Sequence, residues 1–306
     1  MLNKYMEKNK KVGKFGVSYL DDKLRGILQG DLILIGSRSG AGKSTIANQI
    51  ALYNRNNDVK VALFSLENFE GDAFIEKAYY EYMRLTQNYD LNLRDFASGD
   101  FKINQEKLEE AEKYAIDCFK NINIHNRKNG YNVEELKNDI IKEVEENETK
   151  LVIIDHLDYI DKYSKESDNE HMAELMRTIR YVQDSFKVAV VAISHLRKSY
   201  NSKELPVIPS MDEFIGSGNK VKEATVVIML APDDEGNMDI KDQSKRSTWC
   251  CIRKLRMGGI DNKAAKIFFD TKTGTYGDKY LLYKVNYTGT KTEPISDYIP
   301  VQKKVF

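Results

Sequence analysis

The chain has 306 residues, enough for one full core or two smaller ones, and its 47 Lys and Arg balance 47 Asp and Glu to a formal net charge of zero. That balance excludes a polybasic nucleic-acid coat, so any contact with nucleic acid must be local, on a few loops. Three cysteines (Cys118, Cys250, Cys251) offer neither metal spacing nor a disulfide framework, no window approaches the apolar length of a membrane-spanning helix, and the basic start MLNKYMEKNKK lacks the apolar core of a signal peptide, a pattern that fits a reducing, cytoplasmic setting without a membrane partner.

Residues 1–14 are polar and Lys-rich and read as an arm or linker remnant; residues 15–306 read as one domain. Ser18 to Leu28 predicts a short helix, Leu32 to Ile35 the first strand, and Lys60 to Leu66 a second strand. Two long helical stretches follow, about 70–87 and 104–120, then a short strand at 121–125. Asn132 to Glu146 carries apolar residues at Val133, Leu136, Ile140, Ile141 and Val144, a helical spacing. LVIIDHLDYI (151–160) reads as a buried strand ending in acids, 169–186 as a helix, and 187–194 and 224–230 as further strands. The remainder is β-rich, with strand patterns at 247–256, 264–270 and 279–285. Strands alternating with helices predict an α/β fold with a mostly parallel central sheet flanked by helices, and the late hairpin-like strands predict antiparallel additions at its C-terminal edge.

Residues 31–50, DLILIGSRSGAGKSTIANQI, hold the pattern of a P-loop: a strand, a Gly- and Ser-rich loop, then Lys-Ser opening a helix. The phosphate-binding run is Ser37, Arg38, Ser39, Gly40, Ala41, Gly42, Lys43, Ser44 and Thr45. Gly40 and Gly42 let backbone N–H groups close around phosphate oxygens, and the helix start turns its positive end toward the same anions. Lys43 is expected at the β- and γ-phosphates of ATP, and Ser44 at Mg²⁺. Ser37 stands where Gly is usual, although Gly36 adjoins it. LVIID places Asp155 at the end of a buried strand, the expected second contact to Mg²⁺, through water. Glu67 ends the second strand, where a carboxylate can deprotonate the attacking water, and His195 ends the strand AISH, where a polar side chain can touch the γ-phosphate.

The series SRSGAGKST, LFSLEN, LVIIDHLDYI, AISHL, GSG (216–218) and RKLRMGG (253–259) resembles the RecA-like motor domain of DnaB-type hexameric replicative helicases, and most of all their phage primase–helicase and Twinkle-like members. The resemblance covers about residues 15–275. It implies a RecA-like P-loop NTPase fold, an ATP-hydrolysing ring on single-stranded DNA in replication, and Glu67 as catalytic base, Asp155 as the Mg²⁺-binding acid and His195 as γ-phosphate sensor. It also implies that Lys254 and Arg256, on one side of a strand, reach the ATP of the neighbouring subunit. The resemblance sets two DNA-facing segments: a basic one with Arg197, Lys198 and Lys203, and a loop of Gly216, Ser217, Gly218, Asn219 and Lys220 offering backbone N–H groups and the Lys220 charge. Ile215 departs from the pattern, since many relatives carry Arg before the Gly-Ser-Gly loop. No primase domain or helical N-terminal domain is read in the chain, so the expectation is either a motor working as a minimal ring or a separate primase or loader as partner, in a bacterial cytoplasm or that of a phage host. Two other readings compete with the helicase: a recombination or repair ATPase of the wider RecA group, and a non-helicase assembly or regulatory ATPase.

Overall fold

The computed structural model describes residues 10–67, 71–163, 166–197, 206–214, 217–234, 245–260, 262–286 and 288–295. Within these, the chain runs β1 (Lys11–Gly13), α1 (Ser18–Leu24), β2 (Ile27–Leu28), β3 (Leu32–Ser37), α2 (Lys43–Arg55), β4 (Val61–Ser65), α3 (Asp72–Thr86), α4 (Leu93–Ser98), α5 (Gln105–Phe119), β5 (Ile122–Asn126) and α6 (Val133–Glu146). It continues with β6 (Leu151–Asp155), α7 (Asp168–Phe186), β7 (Ala189–His195), α8 (Ser217–Glu223), β8 (Val226–Pro232), β9 (Lys245–Leu255), β10 (Lys263–Asp270), β11 (Thr275–Val285) and β12 (Thr292–Pro294).

The 10-stranded sheet has the order β12-β11-β10-β9-β8-β3-β7-β6-β4-β5. From β8 to β5 every pairing is parallel, and from β8 outward to β12 every pairing is antiparallel. The central strands read as continuous apolar runs because both faces are covered. Alternate side chains enter different cores: Ile33 and Ile35 of β3 pack with α1 and α2, and Leu32 and Leu34 pack with α6 and α7 on the other face. Helices α6 and α7 begin at capping boxes built by Asn132 with Glu135 and by Ser167 with Glu170.

Four local readings change. The helix expected over 18–28 stops at Leu24, where Arg25 turns left-handed (φ 63°), and Ile27–Leu28 form a strand instead. That strand pairs with Lys11–Gly13, and Lys14 exchanges hydrogen bonds with the Asn54 side chain at 2.9 and 2.6 Å, so residues 11–14 belong to the folded body rather than to an arm. The run 151–160 is strand only to Asp155; a 3-10 turn at Leu157–Tyr159 follows, held by hydrogen bonds from Tyr159 N–H to the His156 carbonyl and from Ile160 N–H to the Leu157 carbonyl. The fourth is α4, where Asn92 caps a short helix between the two long helical stretches expected at 70–87 and 104–120.

Candidate active site

Parallel strands aim their C-terminal ends at one edge, and β3, β4, β6 and β7 are sheet neighbours in the order β3-β7-β6-β4. The residues picked out at those ends therefore converge. In register, Ser37 pairs with His195 and Ser65 with Asp155. Between β3 and α2 the chain turns through Gly40 and Gly42 at φ 79° and 77°, the left-handed region that glycine tolerates. A Cβ at Gly40 would meet nothing within 4 Å, which leaves an open cradle in front of the loop. A Cβ at Gly42 would lie 2.3 Å from the Tyr276 hydroxyl, so β11 closes the loop from behind. Tyr276 donates from that hydroxyl to the Ala41 carbonyl (3.1 Å), and its backbone exchanges bonds with the Gln49 side chain at 2.6 and 3.0 Å. A cleft of about 580 Å³ adjoins the loop, lined by Tyr80, Arg246, Thr248, Phe269 and Tyr276.

Helix α2 opens at Lys43, whose Nζ lies 2.8 Å from Glu67 Oε2. Burial raises the Glu67 pKa, but Lys43, His156 and His195 outweigh it and leave the carboxyl below its usual range. Asp155 is 3% exposed, and burial pushes its pKa up against a Ser44 hydrogen bond that favours the charged form. Its Oδ1 has no hydrogen-bond partner, and neither does His195 Nε2. A buried carboxylate oxygen left unpaired beside a Ser hydroxyl, in front of an open glycine cradle, fits a magnesium nucleotide, because those are the groups such a ligand would satisfy. Burial, then the neighbouring His156 and Lys43, hold the His195 imidazole below its ordinary pKa, which favours its neutral form.

Behind this front row stands a group that periodicity did not reveal. His156 is 1% exposed; its ring lies 4.0 Å from that of His195, and its Nε2 lies 3.3 Å from Glu67 Oε2. Asp158 takes the His195 backbone N–H at 2.8 Å and the Lys220 Nζ at 2.8 Å, with His156 Nδ1 at 3.2 Å. Burial raises the Asp158 pKa, but His156, Lys220 and the His195 N–H outweigh it and hold the carboxyl well below the carboxylate range. The acids at the end of the 151–160 run were visible in the sequence; the turn that folds Asp158 back under His195 was not.

One expected role is corrected, that of Lys220, and two further site residues have their side chains engaged within the chain. Lys220 is fully buried, with Nζ on Asp158 and on Ser194 Oγ (2.6 Å), so its charge is not offered to DNA phosphates, and the segment from Ser217 is helix α8 rather than loop. The Arg38 guanidinium turns away from the phosphate cradle, ion-paired to Glu213 at 3.0 Å and donating to the Pro206 carbonyl at 2.7 Å. Lys254 donates to the carbonyls of Val221 (2.6 Å) and Lys222 (3.2 Å), which makes it a clamp on the end of α8. Its strand β9 is interior, between β8 and β10. Arg197 is exposed, as are Gly218 and Arg256, and Asn219 Nδ2 reaches the Asn169 carbonyl at 3.4 Å. Lys198, Lys203, Ile215 and Gly216 lie outside the described residues.

Arg256 sits at the opposite edge of the sheet from the phosphate loop. Its N–H donates to the Thr225 carbonyl, and Thr225 N–H donates to that of Leu32, at the start of β3. The length of β3, roughly 20 Å at ~3.3 Å per residue, separates this edge from the loop after Ser37. A chain's own Arg256 therefore cannot reach the segment around its own Lys43.

A family model for the DnaB-like helicase C-terminal domain matches residues 14–278. The chain belongs to that family. Replicative DNA helicase DnaB of Helicobacter pylori is similar, 23% identical over 307 residues, 93% of this chain and 60% of the relative. DnaB of Geobacillus stearothermophilus is 26% identical over 250 residues, 80% of this chain and 52% of the relative. The DnaB-like chain thus spans between half and three-fifths of the length of these curated relatives. Among solved structures, the G40P ATPase domain superposes with a TM-score of 0.71 at 19% identity, covering 90% of this chain and 95% of that one. A DnaB-like replicative helicase, solved in a study of its interactions with primase, gives 0.72 at 20% identity, covering 90% and 66%. A KaiC-like protein from Pyrococcus horikoshii gives 0.56 at 16% identity, covering 88% and 99%. These likenesses bear out the RecA-like fold with antiparallel strands at one edge. No helix among the described residues is long and apolar enough to cross a membrane.

Proposed function

We propose that this DnaB-like chain is an ATP hydrolase that assembles as a ring, with six subunits the expected number, and moves along single-stranded DNA in replication. The observation that carries the reading is the separation of Arg256 from the phosphate loop across β3: each subunit offers a phosphate loop at one edge and a guanidinium at the other, so a complete site needs two chains.

Lys43 leaves Glu67 for the β- and γ-phosphates when ATP enters, which frees the Glu67 carboxylate to take a proton from the attacking water. Ser44 and Asp155 are the residues that would hold Mg²⁺, which when bound neutralises phosphate charge. The neutral His195 imidazole faces the γ-phosphate with an unsatisfied Nε2 and registers its loss. Arg256 of the neighbour stabilises charge on the transferring phosphoryl group. DNA phosphates are met by Arg197 and by the start of α8 around Ser217, Gly218 and Asn219, together with Lys198, Lys203 and Gly216 outside the described residues. Contacts of this kind carry no sequence information, as a translocating motor requires. The setting is the cytoplasm of a bacterium or phage host, with a separate primase or loader as partner.

The test is ATP hydrolysis with and without single-stranded DNA, followed by strand separation of a forked duplex. DNA-stimulated hydrolysis with unwinding supports the helicase. Hydrolysis stimulated by DNA without unwinding favours a recombinase-like coat, and hydrolysis indifferent to DNA favours an assembly ATPase. The burial of Lys220, which removes one cation from the DNA face, is the observation that keeps this last reading in play.

A further inference from the structure

The buried Lys220 and Asp158 have no part in the chemistry just described, yet they join its two ends. Asp158 uses both oxygens. Oδ2 fixes the sensor residue through the His195 N–H and sits beside His156 Nδ1; Oδ1 takes the ammonium of Lys220. Ser194, the residue before the sensor, accepts from Lys220 and donates to Asp158 at 3.2 Å. On the nucleotide side the chain of contacts continues from His156 to Glu67 and from Glu67 to Lys43. On the other side Lys220 is part of α8, whose C-terminal carbonyls are clamped by Lys254. One carboxylate therefore touches the γ-phosphate sensor and the helix of the DNA-facing segment at once.

We propose that Lys220 is a positioning residue that couples γ-phosphate occupancy to the placement of α8. The physical argument is one of constraint. Lys220 is 0% exposed, so its ammonium cannot exchange Asp158 for water where it stands. Nucleotide entry draws Lys43 off Glu67 and gives His195 Nε2 a partner, which alters the two groups that Asp158 holds in place. A displacement of Asp158 is followed by Lys220, because the alternative is an uncompensated buried charge, and Lys220 carries α8 with it. Two sites are coupled when both bias one element with two arrangements, and α8 is that element here. A purely structural ion pair would stabilise the fold equally with and without nucleotide.

This inference rests on the nucleotide-site reading, and the experiment separates the two. Amide hydrogen exchange over residues 217–223 is followed by mass spectrometry in the full chain, with and without magnesium AMP-PNP, while binding is measured by titration with a fluorescent ATP analogue. In the wild-type chain nucleotide changes the exchange of α8. In Lys220→Met that change is lost while the nucleotide still binds. Because this variant leaves Asp158 without its cation, a second one, Asp158→Asn with Lys220→Met, removes both charges and keeps the shape; it too binds nucleotide and shows no change in α8. A change that persists in both variants overturns the coupling, as does a wild-type α8 whose exchange ignores bound nucleotide. A wild-type chain that binds no nucleotide overturns the site reading and the coupling with it.

Discussion

Glu67 is held at 2.8 Å by Lys43, so on the proposed reading the base and the phosphate-binding lysine latch each other until ATP enters. The Glu67→Gln variant tests both halves of that statement. The amide keeps the shape and cannot accept the proton, so kcat should fall by about 10²-fold or more. The amide also releases Lys43, so ATP should bind as tightly as to wild type or a few-fold more tightly; the latch is 18% exposed at Lys43 and 26% at Glu67, open enough to solvent to be worth on the order of 1 kcal/mol. Single-turnover hydrolysis and an equilibrium titration measure the two effects separately. A kcat within about threefold of wild type, under ~1 kcal/mol of barrier, would remove Glu67 as the base. The front row was legible in the sequence because Asp155 and His195 end buried strands and Glu67 follows one closely, where a polar side chain has few reasons to be, and because Lys43 and Ser44 open the helix after the glycine loop. Lys220 was not legible: a lysine in a polar loop reads as solvated, and the carboxylate that buries it lies 62 residues earlier in the chain.

At the level of elements, the central strands were readable because burial on both faces writes a continuous apolar run, and α6 and α7 because their caps and spacing agree. The ends of elements were less so. The 3-10 turn after β6 continues the apolar pattern of the strand, and contacts distant in sequence, from β7, α7 and α8, decide that the chain folds back there. Residues 11–14 look like an arm because they are polar, but β1 pairs through its backbone, which composition does not report. The turn out of β7 carries an exposed cation, Arg197, which the proposed function sets against DNA phosphates. Arg197→Ala should lower single-strand affinity about equally for all base sequences and reduce the slope of log affinity against log salt by about 0.7, as expected for the loss of one phosphate contact. Fluorescence anisotropy across a salt series reads both; an unchanged slope moves the DNA surface away from this turn.

For the whole molecule, the loop after Ser37 and Arg256 lie at opposite ends of β3, so chains that met through them, as proposed, would meet head to tail, and such contacts close into rings when the rotation allows. Arg256→Ala should lose ~10³-fold or more in kcat while ATP still binds through Lys43. Mixed with Glu67→Gln, it should recover part of the lost hydrolysis, because some interfaces then pair an intact Glu67 with an intact Arg256. A finger acting within its own chain gives no such rescue, and failure in mixtures shown to co-assemble would sink the two-chain site. The brace behind the phosphate loop carries a different consequence, for folding kinetics. Tyr276 grips the Ala41 carbonyl from 235 residues farther along the chain, so the loop is made early in the sequence and secured only when β11 docks. Contacts closed over so long a stretch of chain are costly to form before the rest of the fold rewards them. Magnesium ATP should therefore slow the unfolding of the native chain and leave its refolding rate unchanged, in stopped-flow denaturant jumps that follow the single tryptophan, Trp249 of β9. Nucleotide that instead sped refolding would place a finished phosphate loop in the transition state, ahead of the strand that holds it.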